Sequence, residues 1–402
     1  MKKFLLSAAI LGSFTFVSCS SDDSSGTQPQ VEVPANYTFT RNGETTVSYD
    51  GQTTRLGMVK EMTSAFMDFD NTTQESLSNM FSNTNSPFAN ADFNTSGKSV
   101  KSKVAASNDY FSINTVESTE IKEDFESFIN TQTNEVFTNQ NEVAAPGVAG
   151  QIPNGDNVRY VDSKGFEMNQ VFAKGLMGAL LMDQILNNYL SPQVLDAGEN
   201  VANNDAEIVE EGKNYTTMEH KWDEAYGYLY GDPSVPTANP NSVLNASEDR
   251  MLFNYLGRVD SDSDFAGLAN NVFEAFKTGR AAIVAGDYDL RNEQIAIIKE
   301  NLSKILAVRA VHYFQAGKTE IENGNRTNAF HALSEGFGFL YGIRFTNNPA
   351  IDAPYVSKSQ IDIVKDQLLA GNGFWDVTPE TLQTISEGIA TSFGFTVEAA
   401  AE

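Results

Sequence analysis

Two of the three histidines in this 402-residue chain begin nearly the same twelve-residue segment. The segments span residues 220–231 and 331–342, and six of their twelve positions are identical at a constant offset of 111 residues. Tyr226 and Tyr228 of the first segment are matched by phenylalanines in the second. Coincidence is a poor explanation for residues this rare, so the pattern indicates an internal duplication.

Each segment places a glutamate four residues after its histidine, which gives the pairs His220–Glu224 and His331–Glu335. On an α-helix, such residues lie on one face, about 6 Å apart at Cβ. Both side chains could then bind one metal ion, iron or zinc, with Asp223 as a further ligand in the first copy. The same spacing also suits a structural hydrogen bond at a helix contact. The residues alone leave both interpretations open.

Three further residues belong to this hypothesis. Gly227 and Gly338 fall in the middle of the two predicted helices, where glycine costs about 1 kcal/mol relative to alanine. Such glycines usually permit close packing of helices. His312, on a long apolar helix, could face the same cleft as His331 and support a metal site from outside the ligand shell. A hydrogen-bonded core histidine is the alternative for His312.

The N-terminus carries the features of a lipoprotein signal. Lys2 and Lys3 precede an apolar stretch, and Ser18 precedes Cys19, the only cysteine of the chain. We therefore expect residues 1–18 to be a signal peptide and Cys19 to carry the lipid that attaches the protein to a membrane. Residues 19–35 are rich in Ser, Gln, Pro and acidic side chains, a composition that predicts a disordered tether.

The charge of the chain is strongly negative. There are 27 basic and 53 acidic residues, and removal of residues 1–18 takes away Lys2 and Lys3, which leaves 25 against 53, or −28. A field of this sign repels phosphates, so nucleic acid is not an expected partner. It also raises the local concentration of cations, which suits a metal-handling role, but a solubilising surface is the better explanation of the charge taken alone.

The elements that must position these residues are mainly helical. Residues 37–49 predict a β-hairpin that turns at Asn42 and Gly43. After residue 51, apolar residues recur at three- and four-residue spacing, and the connections at 83–97 and 131–156 are polar, with no later stretch typical of a strand. We therefore expect an all-α fold of two pseudo-symmetric helical-bundle repeats, residues 36–240 with the hairpin and residues 241–402. The helical patterns cover residues 56–69, 125–129, 163–190, 265–284, 292–317, 358–370 and 379–393.

The lipoprotein signal, the duplication and the segment 220–231 resemble the Bacteroidetes lipoproteins grouped as domain of unknown function 4856, which are similar to imelysin-like proteins. That resemblance implies two related helical bundles with a Gly-x-His-x-x-Glu motif near their interface, and a link to iron uptake or metallopeptidase activity. This chain departs from the motif, since Met218 and Ala329 replace its glycine and only Asp223 keeps the three-residue spacing of the acid.

Three functions follow as expectations. The first is a cell-envelope lipoprotein of the outer membrane, facing the periplasm or the cell surface, that binds a metal or iron species or an iron-uptake partner through the duplicated helices. The second is an imelysin-type metallopeptidase. No His-Glu-x-x-His motif is present to supply zinc ligands and a base, which argues against an enzyme. The third is a structural scaffold at the outer membrane.

Overall fold

The computed structural model describes residues 30–246 and 250–401. The predicted signal peptide, Cys19 and most of the predicted tether lie outside these residues. At the end of the tether, Val31 packs partly against the core, and the Ala35 carbonyl accepts a hydrogen bond from Lys277 Nζ at 3.2 Å. The chain is therefore in contact with the folded body before the first strand begins.

Helix accounts for 60% of the structure, which confirms the predicted helical character. Sixteen α-helices occur in the described residues. The first eight are α1 (Asp50–Ala65), α2 (Gln74–Ser82), α3 (Ala91–Thr95), α4 (Asn108–Phe111), α5 (Thr115–Thr131), α6 (Met168–Leu176), α7 (Pro192–Leu195) and α8 (Asn200–Asp205). The others are α9 (Thr217–Tyr230), α10 (Leu252–Asp260), α11 (Leu268–Ala285), α12 (Tyr288–Glu322), α13 (Arg326–Ile343), α14 (Lys358–Leu369), α15 (Pro379–Phe393) and α16 (Val397–Ala401).

Short segments of other helix types complete these elements. The π-helical turns are Gln132–Val136, Met177–Met182 and Ile185–Tyr189, and the 3₁₀ turns are Pro240–Val243 and Gly373–Trp375. Two of the π-turns prolong α6, so that the chain remains helical over most of residues 168–189. Such turns change the direction of side chains within a helix and are frequent at functional sites.

The first hairpin turns at two residues with a left-handed backbone. Strands β1 (Thr40–Arg41) and β2 (Glu44–Thr45) are antiparallel, and Asn42 and Gly43 have φ of 55° and 84° between them. This confirms the predicted turn. The paired strands are shorter than the predicted runs.

A second hairpin contradicts the prediction that no strand follows the first. Strands β3 (Gly150–Asn154) and β4 (Asn157–Val161) pair in antiparallel register from Gly150 opposite Val161 to Asn154 opposite Asn157. Residues 131–156 are therefore not simply a polar connection. The signal was the turn at Gly155 and Asp156, since a two-residue loop with glycine is typical of a hairpin.

The helical stretch 168–189 is the common neighbour of the two motif segments. Its first part packs along α13, and its last turn, 185–189, packs against α9. Gly178 and Gly342 meet where α13 crosses it, since a Cβ at Gly178 would lie 2.2 Å from the Cα of Gly342. No described helix has the length and apolar character required to cross a membrane.

Candidate functional site

His331 lies between two carboxylates on the surface of α13. Its Nδ1 is 3.0 Å from Glu167 Oε2, and its Nε2 is 3.6 Å from Glu335 Oε2. The His331 side chain is 27% exposed, whereas those of Glu167 and Glu335 are 5% and 9% exposed. An imidazole that solvent can reach is thus held at the edge of a buried charged cluster.

Two cations balance these carboxylates. Arg159 Nη1 is 2.8 Å from His331 Nδ1 and 3.5 Å from Glu167 Oε2, and Lys174 Nζ is 3.2 Å from Glu335 Oε1. Arg159 comes from β4, Glu167 directly precedes α6, and Lys174 lies two turns further along that helix. The site therefore requires the second hairpin and α6 to meet α13.

Glu335 is an ionised carboxylate at neutral pH. Burial acts to raise its pKa, but the charges of Lys174 and His331 hold the pKa below its ordinary value. Hydrogen bonds from Lys174 and Tyr313 lower it further. Lys174 approaches Oε1, while Oε2 is the oxygen nearer to the imidazole.

The absence of a side chain at Gly338 sets the distance between the two helices. A Cβ at this position would lie 2.5 Å from the Cβ of Lys174 and 3.1 Å from the backbone nitrogen of Gly175. Ser334 adds a direct link, because its Oγ accepts a hydrogen bond of 2.9 Å from the backbone N–H of Glu167. This close contact lets Lys174 reach Glu335.

The first copy of the motif has different partners. His220 Nδ1 is 3.0 Å from the carbonyl oxygen of Ser48, and its ring stacks on Tyr215 at 4.5 Å between centroids. Burial lowers the pKa of His220. Glu224 accepts hydrogen bonds from Lys221 Nζ at 2.8 Å and from Gln52 Nε2 at 3.1 Å. The carbonyl and the stacked ring hold His220 in place, and separate donors hold Glu224.

Asp223 belongs to a buried ionic network. Its carboxylate accepts hydrogen bonds from the Tyr37 hydroxyl at 2.7 Å, the Ser48 N–H at 3.3 Å and Arg280 Nε at 3.2 Å. Burial raises the pKa of Asp223 to about 6 despite the neighbouring guanidinium. Arg280 also pairs with Glu219 at 3.1 Å. These bonds attach the N-terminal hairpin region to α9 and α11.

The two remaining predicted residues have packing neighbours. A Cβ at Gly227 would lie 2.4 Å from the Cβ of Tyr49, just before α1. His312 is half-buried on α12, with its ring 5.2 Å from that of Tyr313. Tyr313 in turn stacks on Phe339 of α13 at 5.8 Å.

Sequence reasoning missed Arg159, Glu167 and Lys174. Lys174 had a signal, because it is the only charged residue in the apolar stretch 171–182, and a buried charge requires a partner. Glu167 lies seven residues before it, on the same face of the helical pattern. Arg159 could not be placed without the second hairpin.

Among residues 30–246 and 250–401, no group of three or more histidine, cysteine, aspartate or glutamate side chains is arranged to hold a metal ion. A family model described as Domain of unknown function (DUF4856) matches residues 34–396. No curated protein and no solved structure matches the chain.

Proposed function

Since the chain belongs to the family described as Domain of unknown function (DUF4856), we propose its function from the site: it is a cell-envelope lipoprotein that binds a transition-metal species, iron or zinc, at His331 and Glu335. The observation that carries the proposal is the 3.6 Å separation between His331 Nε2 and Glu335 Oε2. Two zinc bonds of about 2.0–2.1 Å at a tetrahedral angle span a similar distance.

The surroundings of His331 support this role. Metal-binding histidines commonly pair their second ring nitrogen with a carboxylate, which fixes the tautomer and the orientation of the ring. Glu167 Oε2 lies 3.0 Å from Nδ1 and Arg159 Nη1 lies 2.8 Å from the same nitrogen, so metal binding at Nε2 requires the tautomer in which Nδ1 donates to Glu167. Lys174 holds the other oxygen of Glu335, so that the carboxylate has a defined orientation.

The ligand count defines the class of species that fits. His331 and Glu335 supply two donor atoms, and no third metal-binding side chain of the described residues joins them. A bound metal would keep part of its own ligand shell, as water or as an organic chelator. We therefore propose a hydrated ion or a metal chelate as the ligand.

The proposal also covers the cellular location of the protein and the duplication of its sequence. Lys2, Lys3, the apolar stretch and Cys19 support lipidation and attachment to a membrane, and the family resemblance is the ground for proposing the outer membrane of a Bacteroidetes-type cell. Duplication is supported by the repeated sequence, by the helical form of both copies in α9 and α13, and by their common neighbour at 168–189. Similarity to imelysin-like proteins and contact with an iron-uptake partner remain parts of this proposal.

Isothermal titration of the protein with Zn²⁺, anaerobic Fe²⁺ and ferric nitrilotriacetate tests metal binding. The double variant His331→Ala/Glu335→Ala should bind at least about 10-fold more weakly, because it removes both proposed donor atoms. The matched control is His220→Ala/Glu224→Ala, which should bind as the unmodified protein does. No binding by the unmodified protein, or equal loss in both variants, would refute the proposal.

Lipidation is tested separately. Cells that express the full chain are grown with a radiolabelled fatty acid, and membranes are compared for the unmodified protein and for Cys19→Ser. We expect the label and the membrane association to disappear in the variant. An unlabelled protein that is equally membrane-bound with either residue would contradict the lipid anchor.

A further inference from the structure

A cavity of about 240 Å³ lies between α5, α6, α13 and α14. It is separate from the pair His331–Glu335. Most of its wall is apolar, and its polar lining residues are Asp124, Ser127, Thr131, Asp162 and Lys365. The apolar lining residues are Phe128, Phe166, Met168, Val171, Phe337 and Leu369. A concave, mostly apolar wall with a few polar groups is the usual form of a small-molecule site.

Asp162 is the buried acid of this cavity. Its residue is 7% exposed, and its Oδ1 accepts hydrogen bonds from the backbone N–H groups of Lys164 at 2.9 Å and Phe166 at 2.8 Å. Oδ2 receives no hydrogen bond from the part of the chain that the structure describes. One oxygen of a buried carboxyl group is thus available to a ligand.

The basic side chains nearby are engaged elsewhere. Lys164 Nζ donates to the carbonyl of Leu369 at 2.5 Å, and Lys365 Nζ lies 3.9 Å from Asp124 and 3.7 Å from Asp362. Burial raises the pKa of Asp162 to about 7, and the charge of Glu135 raises it as well, against the lowering effect of Lys164. Within residues 30–246 and 250–401, no lysine or arginine nitrogen forms an ion pair with Asp162.

We infer that this cavity binds a small organic ammonium ion whose apolar body lies against the phenylalanines and whose ammonium group donates to Oδ2 of Asp162. An ammonium ion supplies both the charge and the hydrogen bond that the buried carboxylate needs. Aromatic faces also attract cations, which favours the same ligand class. A ligand with a carboxylate would place a second negative charge beside Asp162.

The probe is 2-phenylethylammonium, compared by calorimetry with 2-phenylethanol, its neutral analogue of similar shape. The unmodified protein should bind the ammonium at least about 10-fold more tightly, because only the ammonium can form a charge-assisted hydrogen bond with the carboxylate of Asp162. Near pH 7, binding should also release protons in paired buffers of different ionisation enthalpy, since the ammonium ionises Asp162. If the unmodified protein binds the two probes with equal affinity, or binds neither, the inference is overturned without any variant.

Asp162→Asn keeps the size of the side chain and removes its charge. It should remove the preference for the ammonium and leave the affinity for 2-phenylethanol unchanged. Asp124→Asn is the matched control in the wall of the same cavity, where the carboxylate already accepts a hydrogen bond from the Tyr341 hydroxyl at 2.8 Å, and it should retain the preference. Full ammonium binding by Asp162→Asn would also overturn the inference. The double variant His331→Ala/Glu335→Ala should still bind the probe, which separates this cavity from the metal proposal.

Discussion

The two copies of the repeated segment have similar sequences but different electrostatic surroundings. In residues 220–231, the most buried acid is Asp223, and its partners attach the N-terminal region to the helical body. In residues 331–342, Ser334 occupies the equivalent position, and the charged groups gather around His331 and Glu335 instead. The acid of the first segment thus belongs to a buried structural network, whereas in the second segment the charged groups of other elements surround the His–Glu pair itself.

The comparison teaches that a shared motif does not imply a shared role. Both glutamates have a lysine partner, but Lys221 lies three residues away on the same helix, whereas Lys174 comes from a neighbouring helix. Burial acts to raise the pKa of both Glu224 and Glu335. The charge of the lysine partner outweighs this effect, so that each pKa lies below its ordinary value. The pKa of the glutamate is therefore lowered by a local contact in one copy and by a tertiary contact in the other.

The largest expected effect is at the position where the copies differ. Asp223→Ala should reduce the free energy of unfolding by about 3–5 kcal/mol, because it leaves the fully buried Arg280 with one carboxylate partner fewer. Ser334→Ala, the matched change in the second copy, should cost about 1–2 kcal/mol through the loss of its bond from Glu167. Urea denaturation followed by circular dichroism measures both, and equal losses would show that Asp223 has no special structural role.

An intermediate effect is expected when the two lysines are compared. Lys174→Met should destabilise the protein by about 2–3 kcal/mol, since it leaves the buried carboxylate of Glu335 without its cation. Lys221→Met should cost less than about 1 kcal/mol, because the side chain of Lys221 is 31% exposed and water screens its ion pair. Thermal unfolding of the two variants provides the measurement. A larger loss for Lys221→Met would contradict the contrast between local and tertiary contacts.

The smallest effect concerns pH and the histidine of the first copy. Burial lowers the pKa of His220 below the ordinary 6.5, so the unfolded chain takes up a proton more readily than the folded protein. The contribution of His220 to stability is complete above about pH 6.5 and declines as the pH falls below that value. His220→Gln should therefore flatten the stability curve between about pH 6.5 and 5. The pH dependence of chemical denaturation tests this, and an unchanged slope would rule out such a linkage.

The sequence predicted several of the longer helices because their apolar periodicity is a local property, but it missed short ones such as α3 (Ala91–Thr95), which lies in the predicted polar connection 83–97. The long helix α12 and the helices α14 and α15 fall where the pattern placed them. The hairpin β3–β4 was missed because each strand has only five residues and β4 is exposed or half-buried until Val161, which leaves a weak apolar signal. Because this hairpin was not predicted, Arg159, which lies on β4, was not predicted as a residue of the candidate site.

By itself, the sequence determined that helices dominate, that a tight turn falls at Asn42 and Gly43, and that a histidine and a glutamate share one helical face in each copy. Each of these depends on residues a few positions apart. Only the tertiary structure decided which copy joins Glu167, Arg159 and Lys174, and which one joins Tyr37 and Arg280. The physical reason is that packing between distant elements brings these partners together. Burial and the neighbouring charges then determine the pKa values of the groups.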